Sequence, residues 1–161
     1  MNYYKTSLLA LSSALIVIVA SGGDAAEAAD FGPAASSPMA AVRVLVSQRK
    51  WSAAIEQLRA IDRPDDADWN NLMGYSLRRA GSADLAAAER FHDAALRIDP
   101  HLRSALEYSG ELFLAEGDLL RAHMRLSTLQ RECAPGCPEY AALRQAVEDY
   151  EAEGRRPTTM R

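Results

Sequence analysis

The sequence predicts an all-α fold, a short solenoid of about three helix pairs closed by a C-terminal capping helix. Two observations favour this class. Small residues recur at an interval of 36 positions, so that Gly74 returns as Gly110 and Gly81 as Gly117. Apolar residues recur at helical spacing within each copy. A period of about 20 to 50 residues is typical of stacked helical repeats, which usually present a binding surface and rarely hold a catalytic centre.

The N-terminal segment, residues 1–28, is predicted to be a cleavable secretory signal. Lys5 precedes an apolar run from Leu8 to Ala20, and small residues follow, with Ala20-Ser21-Gly22 or Ala26-Glu27-Ala28 as candidate cleavage sites. The run is shorter than the roughly 20 residues that a membrane-spanning helix needs. An uncleaved anchor is the alternative. We therefore expect a periplasmic or secreted protein without stable membrane insertion after cleavage.

The first copy, about residues 39–66, follows a flexible lead predicted over residues 29–38. It has two apolar stripes at helical spacing but lacks a glycine between them, so it is the most degenerate copy. Its stripes comprise Val42, Leu45 and Val46, and then Trp51, Ala54, Ile55, Leu58 and Ile61.

The central copy, about residues 67–102, has recognisable helix ends. Asp68 can cap the first helix and Asp84 the second, because an aspartate side chain accepts hydrogen bonds from the N–H groups of a first turn. Gly81-Ser82 separates the two helices, and Pro100 cannot continue the second. The stripes comprise Trp69, Leu72, Met73 and Leu77, and then Leu85, Ala88, Phe91, Ala95 and Ile98.

Gly74 lies inside the first of these helices, where a glycine costs about 1 kcal/mol relative to alanine. We therefore expect the backbone of another helix to approach it closely. Ala88 and Ala122 are predicted to permit similar approaches on the second helices.

The third copy, about residues 103–136, repeats the pattern, and a capping helix over residues 138–153 follows. The Gly117-Asp118 pair separates its helices, and Pro138 is suited to a first helical turn. A disordered tail is predicted over residues 154–161. The apolar stripes comprise Leu106, Leu112, Phe113, Leu119, Ala122, Leu126 and Leu129, and, in the capping helix, Tyr140, Leu143, Val147 and Tyr150. The exposed side of the capping helix is predicted to carry Glu139, Arg144, Gln145, Glu148 and Asp149.

Composition and motifs favour a binding protein over an enzyme. The net charge of −4 gives no argument for binding nucleic acid. The sequence has no recognisable Ser/His/Asp constellation and no glycine-rich phosphate loop, so we expect no enzymatic activity and no cofactor. The three histidines, His92, His101 and His123, are scattered, and His92 is predicted to lie on an outer face beside Glu89 and Asp93.

The residues Asn71-Leu72-Met73-Gly74-Tyr75, Gly81, the alanine of the second helix and Ile98-Asp99-Pro100 resemble the tetratricopeptide repeat. The run Glu107 to Glu111, with the paired cysteines, is similar to small exported tetratricopeptide proteins of Gram-negative bacteria. The resemblance implies a right-handed superhelix whose first helices line a concave face that binds a protein or an extended peptide. On this face it places Asn71, Tyr75, Arg78, Arg79, Glu107 and Glu111, together with Arg43 and Leu114.

Cys133 and Cys137 replace the Asp-Pro that would close the third copy. Pro135-Gly136 between them allows a turn tight enough for a disulfide bond, which is the usual state of a cysteine pair in an exported protein. The bond would fix the capping helix against the last repeat. A metal site is the alternative, since the segment also resembles a copper-binding loop, with His123 or Met124 as a further ligand.

Three functions follow from these observations. The favoured one is a non-enzymatic periplasmic adaptor or scaffold for another protein or an extended peptide. The alternative is a copper-handling accessory protein that uses Cys133 and Cys137. A homodimer, formed by the exposed ends of the stack, is the third.

Overall fold

A computed structural model describes residues 37–80, 84–133 and 136–154. The predicted signal peptide, nearly all of the lead, the Gly81-Ser82 break and residues 155–161 of the predicted tail lie outside these ranges. The described residues form seven α-helices and no strand, which confirms the all-α class. None of these helices combines the length and the apolar character that crossing a membrane requires.

The helices follow one another through short connections. They are α1 (Pro38–Ser47), α2 (Trp51–Ile61), α3 (Ala67–Arg79), α4 (Leu85–Ile98), α5 (Arg103–Glu116), α6 (Leu119–Glu132) and α7 (Pro138–Ala152).

Acidic N-caps and one left-handed residue set several of these boundaries. Asp84 and Asp118 accept hydrogen bonds from backbone N–H groups in the first turns of α4 and α6, as aspartate caps do. Gly117 ends α5 with φ of 82°, a conformation that glycine adopts without the steric cost of a Cβ atom. The prediction of Asp68 as the cap of α3 is wrong. Asp66, in extended backbone, caps the helix by accepting from the N–H of Trp69, and Asp68 lies inside the first turn.

Each helix packs against the next, and the most extensive contacts join α3 to α4 and α5 to α6. In addition α3 contacts α5, and α5 contacts α7. The apolar core therefore divides into two clusters along the chain. The first, from α1 to α3, contains Val42, Ala54, Ile55, Leu58, Trp69, Leu72 and Met73. The second, from α5 to α7, contains Leu106, Phe113, Leu114, Ala122, Leu129, Cys133, Cys137, Leu143, Val147 and Tyr150.

The predicted apolar stripes are buried or half-buried with one exception. Ile98, the last residue of α4, is 45% exposed, because the buried stripe ends one turn earlier at Ala95. The predicted exposed side of α7 also has one exception. Glu139 is half-buried, because the first turn of α7 lies against charged residues of α5.

Gly74 and Gly110 both allow a close approach, as predicted for Gly74. A Cβ atom on Gly74 would lie 2.9 Å from the carbonyl oxygen of Ala88 and 3.0 Å from the His92 ring. A Cβ atom on Gly110 would lie 2.5 Å from a methyl group of Leu143 on α7. Both separations are shorter than carbon atoms tolerate, so each helix–helix contact depends on the absence of a side chain.

Candidate interaction surface

Three aromatic rings form a ladder across α2, α3 and α5. The ring centroids of Trp51 and Tyr75 are 5.7 Å apart in an edge-to-face arrangement, and those of Tyr75 and Tyr108 are 4.3 Å apart. All three rings are half-buried, so each presents part of its surface to solvent. Because aromatic pairs at these separations attract each other, the ladder is a stable apolar strip that links neighbouring helices.

Two arginines of α3 lie along this aromatic ladder. The Arg79 guanidinium is 5.5 Å from the centroid of the Trp51 ring, and that of Arg78 is 5.6 Å from the centroid of the Tyr75 ring. Arg78 is only 4% exposed, and it forms an ion pair with Glu111 on α5. Its Nε atom is buried without a hydrogen-bond partner. Arg78 therefore holds α3 against α5, whereas Arg79 borders the accessible rings.

Two carboxylates, Glu107 and Glu111, lie near the Tyr108 end of the ladder, and Glu139 lies near Glu107. Burial, followed by the charges of Glu111 and Glu139, raises the pKa of Glu107 to about 8, although the charge of Arg78 opposes this shift. Burial, followed by the charges of Glu107, Tyr75 and Glu111, raises the pKa of Tyr108 to about 12, and the charge of Arg78 opposes this shift. Glu107 is therefore largely protonated at neutral pH, and its carboxyl group can donate a hydrogen bond.

Asn71 is buried and takes part in a polar chain beneath the ladder. Its side-chain NH₂ group donates to the hydroxyl of Ser104 on α5 at 2.9 Å, and its oxygen lies 3.1 Å from Nδ1 of His92 on α4. The amide oxygen can only accept, so Nδ1 of His92 carries the proton and Nε2 does not. Through the side-chain amide of Asn71, these hydrogen bonds link α3 to α4 and α5.

The prediction of a surface His92 is wrong, because its side chain is 1% exposed and closes against Gly74. Burial, reinforced by the charges of Arg78 and Arg125, lowers the pKa of His92 to about 3. The ring is therefore neutral at physiological pH, and its Nε2 atom is buried without a hydrogen-bond partner.

The six residues predicted for the binding face occupy different depths. Tyr75, Arg79, Glu107 and Glu111 are half-buried at the surface, whereas Asn71 and Arg78 are buried and paired inside the protein. Of the two additional residues, Leu114 is buried in the core, and Arg43 is exposed and pairs with Asp68.

Sequence reasoning missed Trp51, Tyr108, Glu139 and Ser104 as neighbours of this face. The sequence separation between contacting residues of α3 and α5 could have identified two of them, Tyr108 and Ser104. Asn71 contacts Ser104 and Arg78 contacts Glu111, and both pairs are separated by 33 positions, as are Tyr75 and Tyr108. The repeat signposts recur at 36 positions, so the residues that meet between α3 and α5 lie about one helical turn away from the equivalent residues.

Cys133 and Cys137 form a disulfide bond, with Cα atoms 5.8 Å apart, as predicted. Cys133 caps the end of α6 and Cys137 caps the start of α7, so the bond joins two helix termini. The proposed additional copper ligands, His123 and Met124, are both exposed on α6. Across the three described ranges, no group of three or more His, Cys, Asp and Glu residues is arranged to hold a metal ion.

Comparison with protein-family models, with curated proteins and with solved structures finds no match to this chain.

Proposed function

We propose that this chain is a tetratricopeptide-like adaptor that binds a protein or an extended peptide without catalysing a reaction. Repeated signposts at 36 positions and the extensive contacts within the pairs α3–α4 and α5–α6 support a stack of such repeats. The further contacts of α3 with α5 and of α5 with α7 fit a row of first helices that lie side by side.

The aromatic ladder of Trp51, Tyr75 and Tyr108 is the observation on which this proposal depends. Tyrosine, tryptophan and arginine are the residues that most often dominate binding energy in protein interfaces. Here three partly accessible rings adjoin Arg79 and the carboxyl groups of Glu107 and Glu111. The surface thus combines apolar contact area with polar groups that can fix the register of an extended segment.

The disulfide bond between Cys133 and Cys137 supports the proposal of a periplasmic or secreted protein. Such bonds persist in oxidising compartments and are rare in the cytosol, where thiols are kept reduced. Titration of free thiols in protein isolated under acid quench tests this and the copper alternative together. Blocked thiols support the adaptor, whereas free thiols that bind one equivalent of Cu(I) support copper handling.

Site-specific photocrosslinking in the native cell tests the binding surface directly. A photoreactive phenylalanine at Tyr75 or Tyr108 is expected to capture one discrete partner, because both rings reach the surface. The same residue at the exposed Gln130 of α6 serves as the control. Equal crosslinking from all three positions, or crosslinks from Gln130 alone, would contradict the assignment.

A substitution in the aromatic ladder shows how much the ladder contributes to the affinity for the captured partner. Tyr75→Ala removes the central ring and should weaken binding by about tenfold or more, as expected for an aromatic residue near the centre of an interface. Gln57→Ala on an exposed position of α2 should leave the affinity unchanged. Sedimentation across a concentration series shows whether the captured partner is a second copy of the chain.

A further inference from the structure

A second surface feature lies between α4 and α6, away from the aromatic ladder. It is a groove with a volume of about 490 Å³, lined by Arg90, Asp93, Leu96, Arg97 and Arg125. We call it the arginine groove. The groove is open to solvent along much of its surface.

The charges in the arginine groove are unbalanced. Its three guanidinium groups face one carboxylate, that of Asp93, which lies 3.4 Å from Arg125. Beside the groove, the three carboxylates of Glu89, Glu116 and Asp118 all pair with Arg121, which balances only one of them. The excess of positive charge is therefore confined to the groove lining, where three guanidinium groups meet one carboxylate, and it does not extend to the surrounding surface.

Many of the arginine donors in the groove have no partner among the residues that the structure describes. The Arg90 side chain has no hydrogen bond or ion pair among the described residues, and Arg97 uses only Nε, on the carbonyl of Asp93. The Nε atom of Arg125 is buried without a hydrogen-bond partner. Each guanidinium group has five N–H donors, so the groove offers several that converge from two helices.

The positive charge of Arg125 is partly buried, which is unfavourable for a charged group. Burial, together with the charge of Arg121, lowers its pKa, and the charges of Asp93 and Glu89 offset this shift only in part. Its guanidinium lies 5.5 Å from the centroid of the Phe113 ring, which fixes its position at the edge of the groove. A negatively charged group in the groove would compensate this partly buried cation.

We propose that the arginine groove binds a small soluble oxyanion of the phosphate class that carries at least two negative charges. Arginine is suited to this role because its planar fork of donors matches the oxygen atoms of phosphate in bidentate geometry. Arg90 and Arg97 of α4 and Arg125 of α6 hold the anion from both walls of the groove. This site is independent of the aromatic ladder, so a protein partner and an anion can bind together.

Isothermal titration calorimetry with pyrophosphate and with inorganic phosphate, at low ionic strength, tests the proposal. The full mature protein is expected to bind pyrophosphate saturably and more tightly than phosphate. The double variant Arg90→Gln/Arg97→Gln should weaken pyrophosphate binding by about tenfold or more, because it removes two charged donors. Both residues are exposed, so the variant keeps its fold, which circular dichroism verifies.

The matched control is Arg59→Gln/Arg63→Gln, which changes the net charge by the same amount at exposed positions outside the groove. Its affinity for pyrophosphate should stay within about twofold of that of the unmodified protein. The proposal is overturned if pyrophosphate does not bind saturably, or if the control loses as much affinity as the groove variant. Binding to vesicles of anionic phospholipid without binding to pyrophosphate would also overturn it.

Discussion

Gly74 and Gly110 occupy the same position of the repeat, yet they serve different contacts. Gly74 on α3 faces its own partner helix α4, through the carbonyl oxygen of Ala88 and the ring of His92. Gly110 on α5 faces α7, through the side chain of Leu143. Gly74 therefore contacts a backbone carbonyl and a neutral histidine, whereas Gly110 contacts an aliphatic side chain. Equivalence in sequence therefore does not imply equivalence in packing.

The difference reflects which helices pack against each glycine. The Gly74 contact adjoins a polar chain in which Asn71 joins His92 to Ser104, so α3, α4 and α5 are coupled by hydrogen bonds. The Gly110 contact lies between α5 and α7, where α7 completes an apolar cluster that includes the disulfide. Polar coupling joins α3 to α4 and α5, whereas apolar burial and a covalent bond join α7 to α5 and α6.

The largest expected effect concerns Leu143, which is fully buried against Gly110. Leu143→Ala should lower the free energy of unfolding by about 3 kcal/mol, because it leaves a cavity between α5 and α7. Urea unfolding measures the change. Leu120→Ala, at a position on α6 that is 74% exposed, should change stability by less than about 0.5 kcal/mol. A similar loss in both variants would refute the assignment of α7 to the core.

Reduction of the disulfide should have the next largest effect. The bond closes a loop of few residues, because Cys133 and Cys137 are four positions apart. The chain-entropy relation then gives a loss of about 2 kcal/mol in the free energy of unfolding on reduction. Thermal unfolding with and without reductant measures it. The Cys133→Ser/Cys137→Ser variant should not respond to reductant, and equal stability of the oxidised and reduced protein would exclude a stabilising bridge.

Substitution of Gly74 and Gly110 tests whether the two helix–helix contacts differ in the way that the structure shows. Gly74→Ala should lower the free energy of unfolding by about 1 to 2 kcal/mol, because the new methyl group meets a backbone oxygen that cannot rotate away. Gly110→Ala should cost less in a Leu143→Ala background, where the opposing methyl groups are gone. His92→Ala should not relieve Gly74→Ala to the same extent. Equal relief in both double mutants would show that the two contacts are alike.

The smallest expected effect is a dependence on pH that arises from His92. Its pKa is about 3 in the folded protein, whereas the ordinary pKa of histidine is 6.5, so below pH 6.5 the unfolded chain binds a proton that the folded chain does not. Stability therefore falls with decreasing pH, by about 0.8 kcal/mol for this group between pH 7.5 and 6.0. His92→Gln should remove this contribution from urea unfolding curves.

A direct measurement of the His92 ring complements the unfolding curves. NMR should detect no protonation of His92 between pH 7.5 and 5, with the exposed His101 and His123 as reference signals in the same spectrum. Protonation of His92 near pH 6.5 would contradict its burial against Gly74. His92 would then be accessible to solvent, and the contact between Gly74 and the His92 ring would not distinguish Gly74 from Gly110.

Much of the local structure could be predicted from the sequence, because its causes are local. Asp84 and Asp118 cap helices through their own first turns, and Gly117 ends α5 by its own backbone freedom. Cys133 and Cys137 lie too close in sequence for their pairing to depend on the rest of the fold. The start of α3 predicted from Asp68 was wrong, because Asp66 is an equally good N-cap two residues earlier.

The candidate surface was only partly predictable. The resemblance to the tetratricopeptide repeat implies Tyr75, Arg79, Glu107 and Glu111 as face residues, and all four are half-buried in the structure. The positions of Trp51 and Tyr108 depend on how α2 and α5 pack against α3, and that of Glu139 depends on how α7 packs against α5. No helical periodicity encodes that placement, since it depends on side chains from different helices packing together.

The sequence by itself determined the helical content, the apolar stripes and the cysteine pair, because helix propensity, capping and short-range covalent bonding act within a few residues. The tertiary structure decided which equivalent residues meet and how deeply each is buried. The offset of 33 positions between Asn71 and Ser104 and between Arg78 and Glu111 arises only when whole helices pack. The packing of helices also buries His92 and raises the pKa of Glu107, since burial and electrostatics depend on neighbours that are distant in the chain.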